Sequence, residues 1–201
     1  MTFVSTGSGQ VGVLNNRGVF RPLKTGPVLT DIAESKGGAV FGVNFGSLFR
    51  INRRSGAATR IGSLGTNNMN ALEFDAQGRL YGAGGNGFYR INTNTGRATL
   101  VSRISRFNSS GDIAYDARRN RFFATSNART STTDDLFSIT PGGRASRVGA
   151  IGRRNIFGLD VKDNRLLGYT PGGVEITISV RTGRSTFKRN LQISSPIFGI
   201  G

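Results

Sequence analysis

Arginine and a small set of carboxylates are the residues of this chain whose types and spacing could do chemistry. The 201 residues include 27 Lys and Arg against 11 Asp and Glu, which gives a net charge of +16. All of the basic residues are Arg except Lys24, Lys36, Lys162 and Lys188. Guanidinium is a planar fork of donors that fits carboxylate and phosphate groups. So large an Arg excess favours binding to an acidic partner over a merely solvated surface.

Several residue types are absent, and their absence narrows the classes of function. The chain has no His and no Cys, which excludes imidazole chemistry, disulfides and thiolate or His-ligated metal sites. It also has no Trp, the residue most used as a platform for sugar rings. We therefore predict that the protein is not an enzyme, and that it has no metal site and no cofactor.

A repeated phrase organises the chain. The stretch from Gly87 to Gly96 reads GFYRINTNTG, an alternating strand followed by an Asn/Thr/Gly turn. Related phrases occur at 47–56, 136–144 and 174–184, so the period is about 40 residues. A repeat of this length indicates stacked or radial units of several short strands.

Each unit divides into four short strands separated by Gly, Asn and Asp turns. The last residues, from Ile197 to Gly201, copy the first strand of a unit, and residues 2–23 supply a second, third and fourth strand. Joined together, the two ends complete a unit and leave no open edge. The sequence therefore predicts an all-β, five-bladed β-propeller in a single domain, 1–201, with four antiparallel strands per blade. The predicted blades are 196–201 with 1–27, 28–65, 66–105, 110–152 and 155–192.

The motif Leu-Tyr-Gly followed by Phe/Tyr-Arg-Ile-Asn and Thr/Ser-Gly, as at 80–82 and 88–96, resembles the blade repeat of a large bacterial β-propeller superfamily. The resemblance covers nearly the whole chain. It implies the propeller fold, and it is weak for function because such families include enzymes, lectins and adaptors.

Carboxylates on the first strands should converge on the central channel of such a ring: Asp31, Glu73, Asp112 and Asp160. Paired carboxylates could act as acid and base of a glycosidase, as in five-bladed enzymes of similar architecture. The four residues sit at two levels, however, and no loop has a calcium-binding signature. The favoured interpretation is that Asp31 and Asp112 accept hydrogen bonds from backbone amides at strand starts.

Basic residues recur in the turns that join first to second and third to fourth strands, and antiparallel pairing places both kinds of turn on one face. The predicted partner-binding residues on this basic face are Arg17, Arg53, Arg54, Arg97, Arg118, Arg119, Arg144, Arg181 and Arg184. The second face, with the links between blades and an insertion from Ser126 to Asp135, carries Arg103, Arg106, Arg153 and Arg154.

An acidic protein or protein assembly is the favoured partner, which would make the protein a scaffold, a linker or an accessory subunit. Nucleic acid is an alternative partner because the same charge attracts phosphates, although most aromatics fall at core positions, with Phe45 and Phe107 in loops as exceptions. A lectin-like propeller is a further alternative, and a glycosidase using the channel carboxylates ranks last. No signal peptide and no membrane span are visible, so we expect a cytoplasmic protein.

Overall fold

The computed structural model describes residues 2–127 and 132–201, and the regular secondary structure of these residues is all β-strand. The strands form five four-stranded antiparallel sheets, a five-bladed β-propeller as the sequence predicts. Within the described ranges, no helix is long and apolar enough to span a membrane. The cytoplasmic location stays a prediction.

The strands follow one another in chain order, and the first strand of each blade lies at the channel. The chain begins with β1 (Thr2–Thr6), β2 (Gln10–Leu14) and β3 (Phe20–Thr25). Blade 1 consists of β4 (Asp31–Glu34), β5 (Val40–Val43), β6 (Ser47–Ile51) and β7 (Ala58–Ser63). Blade 2 consists of β8 (Ala71–Phe74), β9 (Leu80–Gly84), β10 (Gly87–Ile91) and β11 (Ala98–Arg103). Blade 3 consists of β12 (Ser109–Asp116), β13 (Arg121–Ser126), β14 (Asp135–Ile139) and β15 (Ala145–Ala150). Blade 4 consists of β16 (Gly158–Lys162), β17 (Arg165–Tyr169), β18 (Val174–Ile178) and β19 (Ser185–Asn190).

The last strand, β20 (Ile197–Ile200), closes the ring by pairing with β1. This seam blade therefore has the order β20, β1, β2, β3. Beyond the strand pairs, the amide of Phe3 donates to the carbonyl of Gly201 over 2.8 Å, and the amide of Gly201 donates to the carbonyl of Phe3 over 3.0 Å. The edge of β1 that faces the channel is thus paired with β20. It is therefore not open to pairing with another chain, which could lead to aggregation.

The core is divided among the spaces between blades. Five clusters of buried apolar side chains lie one between each pair of neighbouring blades. Between blades 2 and 3, for example, the ring of Phe122 lies 4.9 Å from Tyr81 and 5.4 Å from Phe88. Each fully buried aromatic side chain contributes about 1.5–3 kcal/mol to stability, so the blades are held by packing that depends on the intact ring.

The turn between the third and fourth strands is built alike in several blades. The Oδ1 atom of Asn52 accepts hydrogen bonds from the amides of Arg54 and Ser55, both over 3.0 Å, and Asn92 repeats the arrangement in blade 2. A Gly with positive φ ends the turn, at 72° for Gly56 in blade 1. The repeated Asn and Gly of the sequence are therefore the residues that set this turn.

Glycines on the fourth strands let the blades approach closely. A Cβ atom added to Gly62 would lie 2.1 Å from the carbonyl oxygen of Thr95 in the next blade. The same holds for Gly149 and Thr182, also at 2.1 Å. Any side chain at these positions would push the outer strand of one blade away from the turn of its neighbour.

Two aromatic residues differ from their predicted surroundings. Phe107 was expected to be an exposed loop residue, but it is 4% exposed and packs edge-on against Phe137 at 5.2 Å. Most of the other aromatic residues were expected at core positions, but Phe157 lies one residue before the start of β16 and is only half-buried. The predicted insertion from Ser126 to Asp135 lies partly outside the described residues, at 128–131.

Candidate functional site

The orientation of the inner strands defines two faces of the ring. Thr30, Asn70, Ser110, Phe157 and Phe198, all at or just before the starts of the five inner strands, line a single cavity at one end of the channel. We call this side, which carries the links between blades, the link face. Because strands alternate in direction within each blade, the first-to-second and third-to-fourth turns all lie at the opposite side, which we call the basic rim.

The arginines of the predicted partner-binding set are exposed at the turns of the basic rim. They are Arg17, Arg53, Arg54, Arg97, Arg118, Arg119, Arg144, Arg181 and Arg184. Three of them, Arg97, Arg144 and Arg184, each follow a turn Gly with φ between 80° and 83°. These three arginines therefore follow turn glycines of the same backbone conformation, at equivalent positions of blades 2, 3 and 4. Partner binding by this set stays a prediction.

Two members of the rim set form ion pairs. Arg53 pairs with Glu34 and also donates to the carbonyl of Gly38 over 3.0 Å. Arg119 pairs with Asp116 at 2.5 Å, and the same carboxylate accepts the backbone amides of its turn. The other seven have no acidic partner within the part of the chain that the structure describes.

The link face carries a second group of exposed arginines, namely Arg103, Arg106, Arg153 and Arg154. Arg103 donates to the side-chain oxygen of Asn86 over 3.3 Å, and Arg154 donates to the carbonyl of Thr132 over 2.5 Å. Arg106 has a positive φ of 57°, in the link between blades 2 and 3. This group is thus irregular, whereas the rim arginines follow a repeat.

Most of the acidic side chains are buried or half-buried. Among the described residues, Asp163 is the one exposed carboxylate, and the other ten are buried or half-buried. Several of these accept backbone amides in turns, as Asp75 does from Gln77 and Arg79. The positive charge of the surface is therefore opposed by little negative charge.

The channel holds a pair of buried carboxylates. Asp31 accepts the amide of Ile32 over 2.7 Å and, across the blade boundary, the amide of Leu72 over 2.6 Å. Asp112 does the same with Ile113 and with Leu159 of the next blade, both over 2.6 Å. The prediction that these aspartates bond backbone amides is confirmed, and in addition each one ties its own blade to the next.

The two aspartates also lie close enough to influence each other's ionisation. Burial raises the pKa of both well above the ordinary value, and repulsion between the two carboxyl groups raises that of Asp112 further. Both side chains are 0% exposed, so in this geometry neither one reaches a substrate, as the acid and the base of the lowest-ranked alternative, a channel glycosidase, would have to.

The second level of the channel holds Glu73 and Asp160, which are half-buried. Burial raises the pKa of Glu73 to about 8, although its carboxylate accepts the amide of Phe74 over 2.6 Å. The pKa of Asp160 is also raised, chiefly by burial, and Lys162 opposes the shift. Within the described residues, no three acidic side chains are grouped as a metal ion would require.

An ion-pair cluster that no sequence pattern indicates lies at the boundary between blade 4 and the seam blade. Glu175 is 1% exposed and pairs with both Lys188, at 2.8 Å, and Arg189. Burial alone would raise the pKa of Glu175, but hydrogen bonds from the two cations outweigh it and lower the pKa. The cluster borders a cleft of about 510 Å³ that Lys162 and Arg165 also line.

Comparisons with known proteins show which proteins share the fold, and they show no closer relationship. No protein-family model matches the chain, and no curated protein matches it. A chain of a nidogen/laminin complex is similar with a TM-score of 0.63 and 12% identity, over 99% of this chain and 96% of that one. A gluconolactonase from Xanthomonas campestris has a TM-score of 0.62 and 11% identity, over 92% and 69% of the two chains. Virginiamycin B lyase from Staphylococcus aureus has a TM-score of 0.57 and 14% identity, over 90% and 63%.

The likeness shows the fold. The resemblance to the bacterial repeat superfamily stays a prediction. The likeness also corrects the prediction that the protein is not an enzyme, because a lactonase and a lyase are built on this fold. That prediction was wrong because it took the absence of His and Cys to exclude catalysis, whereas a fold is used for many chemistries. At 11% and 14% identity, neither structure assigns an activity to this chain.

Proposed function

We propose that the protein docks through its basic rim onto an acidic surface of a protein partner or a larger assembly, as a scaffold, a linker or an accessory subunit. The observation that carries the proposal is the separation of charge. The rim arginines leave ordered turns toward solvent, whereas almost every described carboxylate is buried or half-buried.

The ordered turns favour recognition over loose attraction. Arg54 and Arg181 lie in turns whose backbone amides are held by Asn52 and Ser179. A partner would therefore meet guanidinium groups at fixed spacing, with less conformational entropy to lose than in a disordered basic tail. Each exposed contact is worth about 0.2–1 kcal/mol, so useful affinity would need several rim residues at once.

The test compares two variants that lose the same charge from opposite faces. One carries Arg54→Ser, Arg97→Ser and Arg184→Ser on the basic rim, and the other carries Arg103→Ser, Arg106→Ser and Arg153→Ser on the link face. Each immobilised protein is incubated with cell extract at low and high salt, and nuclease-treated extract is run in parallel with untreated extract. The captured proteins are identified, and their affinities for each variant are then measured.

We expect the rim variant to bind the captured acidic protein about 10-fold or more weakly, from three lost contacts of up to about 1 kcal/mol each. The link-face variant should bind like the unaltered protein. Equal losses in both variants would show attraction by net charge alone and contradict the proposal. Capture that disappears after nuclease treatment would move the proposal to nucleic acid.

A further inference from the structure

The cleft between blade 4 and the seam blade has the size of a small-molecule site. Its volume is about 510 Å³, and pockets for small ligands commonly have about 300–1,000 Å³. One wall belongs to blade 4 and includes the turn between β16 and β17. The other wall belongs to the seam blade and includes Thr2, Asn15 and Asn16. The cleft opens on the basic rim, but none of its lining residues belongs to the rim set of arginines.

Two cations face each other at the end of the hairpin in the first wall. Lys162 and Arg165 form the residue pair that closes the turn between β16 and β17. The two residues between them, Asp163 and Asn164, have positive φ values of 50° and 61°, as in the tight turn of a two-residue hairpin. Directly opposed residues project to the same face of a sheet, with Cβ atoms about 4.5–5.5 Å apart. Like charges in such a pair lower stability.

This pair of cations is specific to blade 4. The other three continuous first-to-second hairpins close with residues that do not repel each other: Glu34 with Val40, Phe74 with Leu80, and Asp116 with Arg121. The blade repeat therefore does not require two cations at these positions. A repulsive pair that the fold does not need favours a role in binding an anion.

Neither cation of the pair has an acidic partner. Lys162 donates to the neutral side-chain oxygen of Asn16 over 2.9 Å. Arg165 forms no ion pair with any described carboxylate. Asp160 and Asp163 lie near Lys162 along the chain, but within the described ranges neither one pairs with it. An anionic ligand would therefore not compete with an existing ion pair.

The second pair of cations in the cleft is already occupied. Glu175 pairs with Lys188, at 2.8 Å, and with Arg189, and the hydroxyl of Tyr169 donates to it over 3.4 Å. The charged lining residues comprise four cations and two carboxylates, so the cleft has two positive charges in excess when all are ionised. A single doubly charged group would balance this excess. It fits better than two separate carboxylates, because both uncommitted cations lie at one turn.

The rest of the lining suits a small polar skeleton. Leu14 and Leu167 line the cleft and are 4% and 2% exposed. The side-chain oxygens of Asn15 and Asn16 are engaged, by two amides of the turn and by an ammonium group. Their Nδ2 groups are therefore left as donors for the hydroxyl oxygens of a ligand.

We propose that this cleft binds a phosphate monoester of a small polyhydroxy compound, such as a sugar phosphate. The dianionic phosphate lies between Lys162 and Arg165, where the guanidinium donates two parallel hydrogen bonds to its oxygens. The hydroxyl groups of the skeleton accept from Asn15 and Asn16, and its carbon atoms cover Leu167. This site goes beyond the docking function and does not depend on it, because no arginine of the rim set contributes.

The test is a titration followed by the NMR shifts of the backbone amides, with glucose 6-phosphate, inorganic phosphate, glucose and malate as probes. We expect glucose 6-phosphate to bind with a Kd on the order of 1 mM, as suits a ligand of few atoms, and to shift the amides around the turn at Asp163. Inorganic phosphate should bind about 3-fold to 10-fold more weakly, and glucose should show no detectable binding. No detectable binding of glucose 6-phosphate, or tighter binding of malate, would overturn the proposal. Equal binding of inorganic phosphate would overturn the role of the skeleton.

The matched variants are Arg165→Gln and Arg121→Gln, because both arginines are exposed and begin the second strand of a hairpin, and only the first lines the cleft. Arg165→Gln should weaken the binding of glucose 6-phosphate about 10-fold, since it loses a charged bidentate contact, and Arg121→Gln should leave it unchanged. Asp163→Asn removes a negative charge from the cleft and should strengthen binding about 2-fold to 3-fold. Equal losses in the two arginine variants would show attraction by net charge alone and overturn the proposal.

The triple rim variant described above separates this site from the docking function. It should bind glucose 6-phosphate like the unaltered protein, whereas Arg165→Gln should still bind the captured acidic protein. A loss of glucose 6-phosphate binding in the rim variant would place the phosphate on the rim arginines and contradict the site in the cleft.

Discussion

Asp31 and Asp112 in the channel and Glu175 in blade 4 are all buried carboxylates, but their surroundings are opposite. The two aspartates face each other and backbone amides, and burial raises their pKa values. Glu175 faces Lys188 and Arg189, and its pKa is lowered. The comparison shows that a buried acid in this fold can serve either as an acceptor of backbone amides or as a charged partner of cations.

The largest expected effect comes from removing a channel acceptor. Asp112→Leu would leave the amides of Ile113 and Leu159 buried without an acceptor, at about 1–3 kcal/mol each. Asp112→Asn keeps one oxygen and matches the protonated form, so it should cost only about half as much. Urea unfolding of both variants measures the difference, with exposed Asp163→Asn as the neutral control. If Asp112→Leu were no less stable than Asp112→Asn, the hydrogen bonds from the two backbone amides would not be what Asp112 contributes to stability.

A smaller loss of stability is expected from a change at Glu175, the buried carboxylate that is paired with cations. Glu175→Gln should cost about 1–2 kcal/mol at neutral pH, less than for a fully buried pair, since the side chains of Lys188 and Arg189 are 38% and 31% exposed and can turn to water. A lowered pKa gives stability that is present above the unfolded-state pKa and is lost as the pH falls through the folded-state pKa. The difference from the unaltered protein should therefore shrink in acid. A difference that does not change with pH would show that packing, not charge, sets the cost.

The smallest expected effect is at Glu73, where stability depends on pH in the opposite direction. Because the pKa of Glu73 is raised to about 8, the folded state keeps this proton in a range where the unfolded chain has lost it. Stability should then fall as the pH rises from the ordinary value of 4.5 toward 8, by at most about 1.4 kcal/mol per pH unit for one proton. Water screens this half-buried group, so we expect about 1 kcal/mol over the whole range. Glu73→Gln should flatten the curve of unfolding free energy against pH, and an unchanged slope would contradict the assignment.

The repeat made the fold predictable, because the signals that set it are local. The Asn, Gly and alternating apolar residues at 87–96 specify a strand and its turn without reference to distant residues. The closing blade was predictable for the same reason, since the end of the chain copies a first strand. The hydrogen bonds of the channel aspartates to backbone amides were also within reach, because short carboxylates at strand starts commonly accept them.

The remaining features depend on three-dimensional placement. Phe45, Phe157, Phe198 and Asn70 come from different blades and meet only when the ring closes, so no spacing in the sequence joins them. The ion pair of Glu175 with Arg189 depends on a register shift in β18, between Glu175 and Ile176, which places the two residues opposite each other. Strand alternation alone cannot indicate such a shift.

The seam between β1 and β20 also determines how the ring would respond to a stretching force. The strands are antiparallel, and the residue pairs run from Val4 with Ile200 to Thr6 with Ile197, so both free ends leave the same end of the pair. Tension applied to the two ends would load these hydrogen bonds one after another, as in the opening of a zipper, and not all at once in shear. A small pull would thus open the seam first, while the four other blades are still folded.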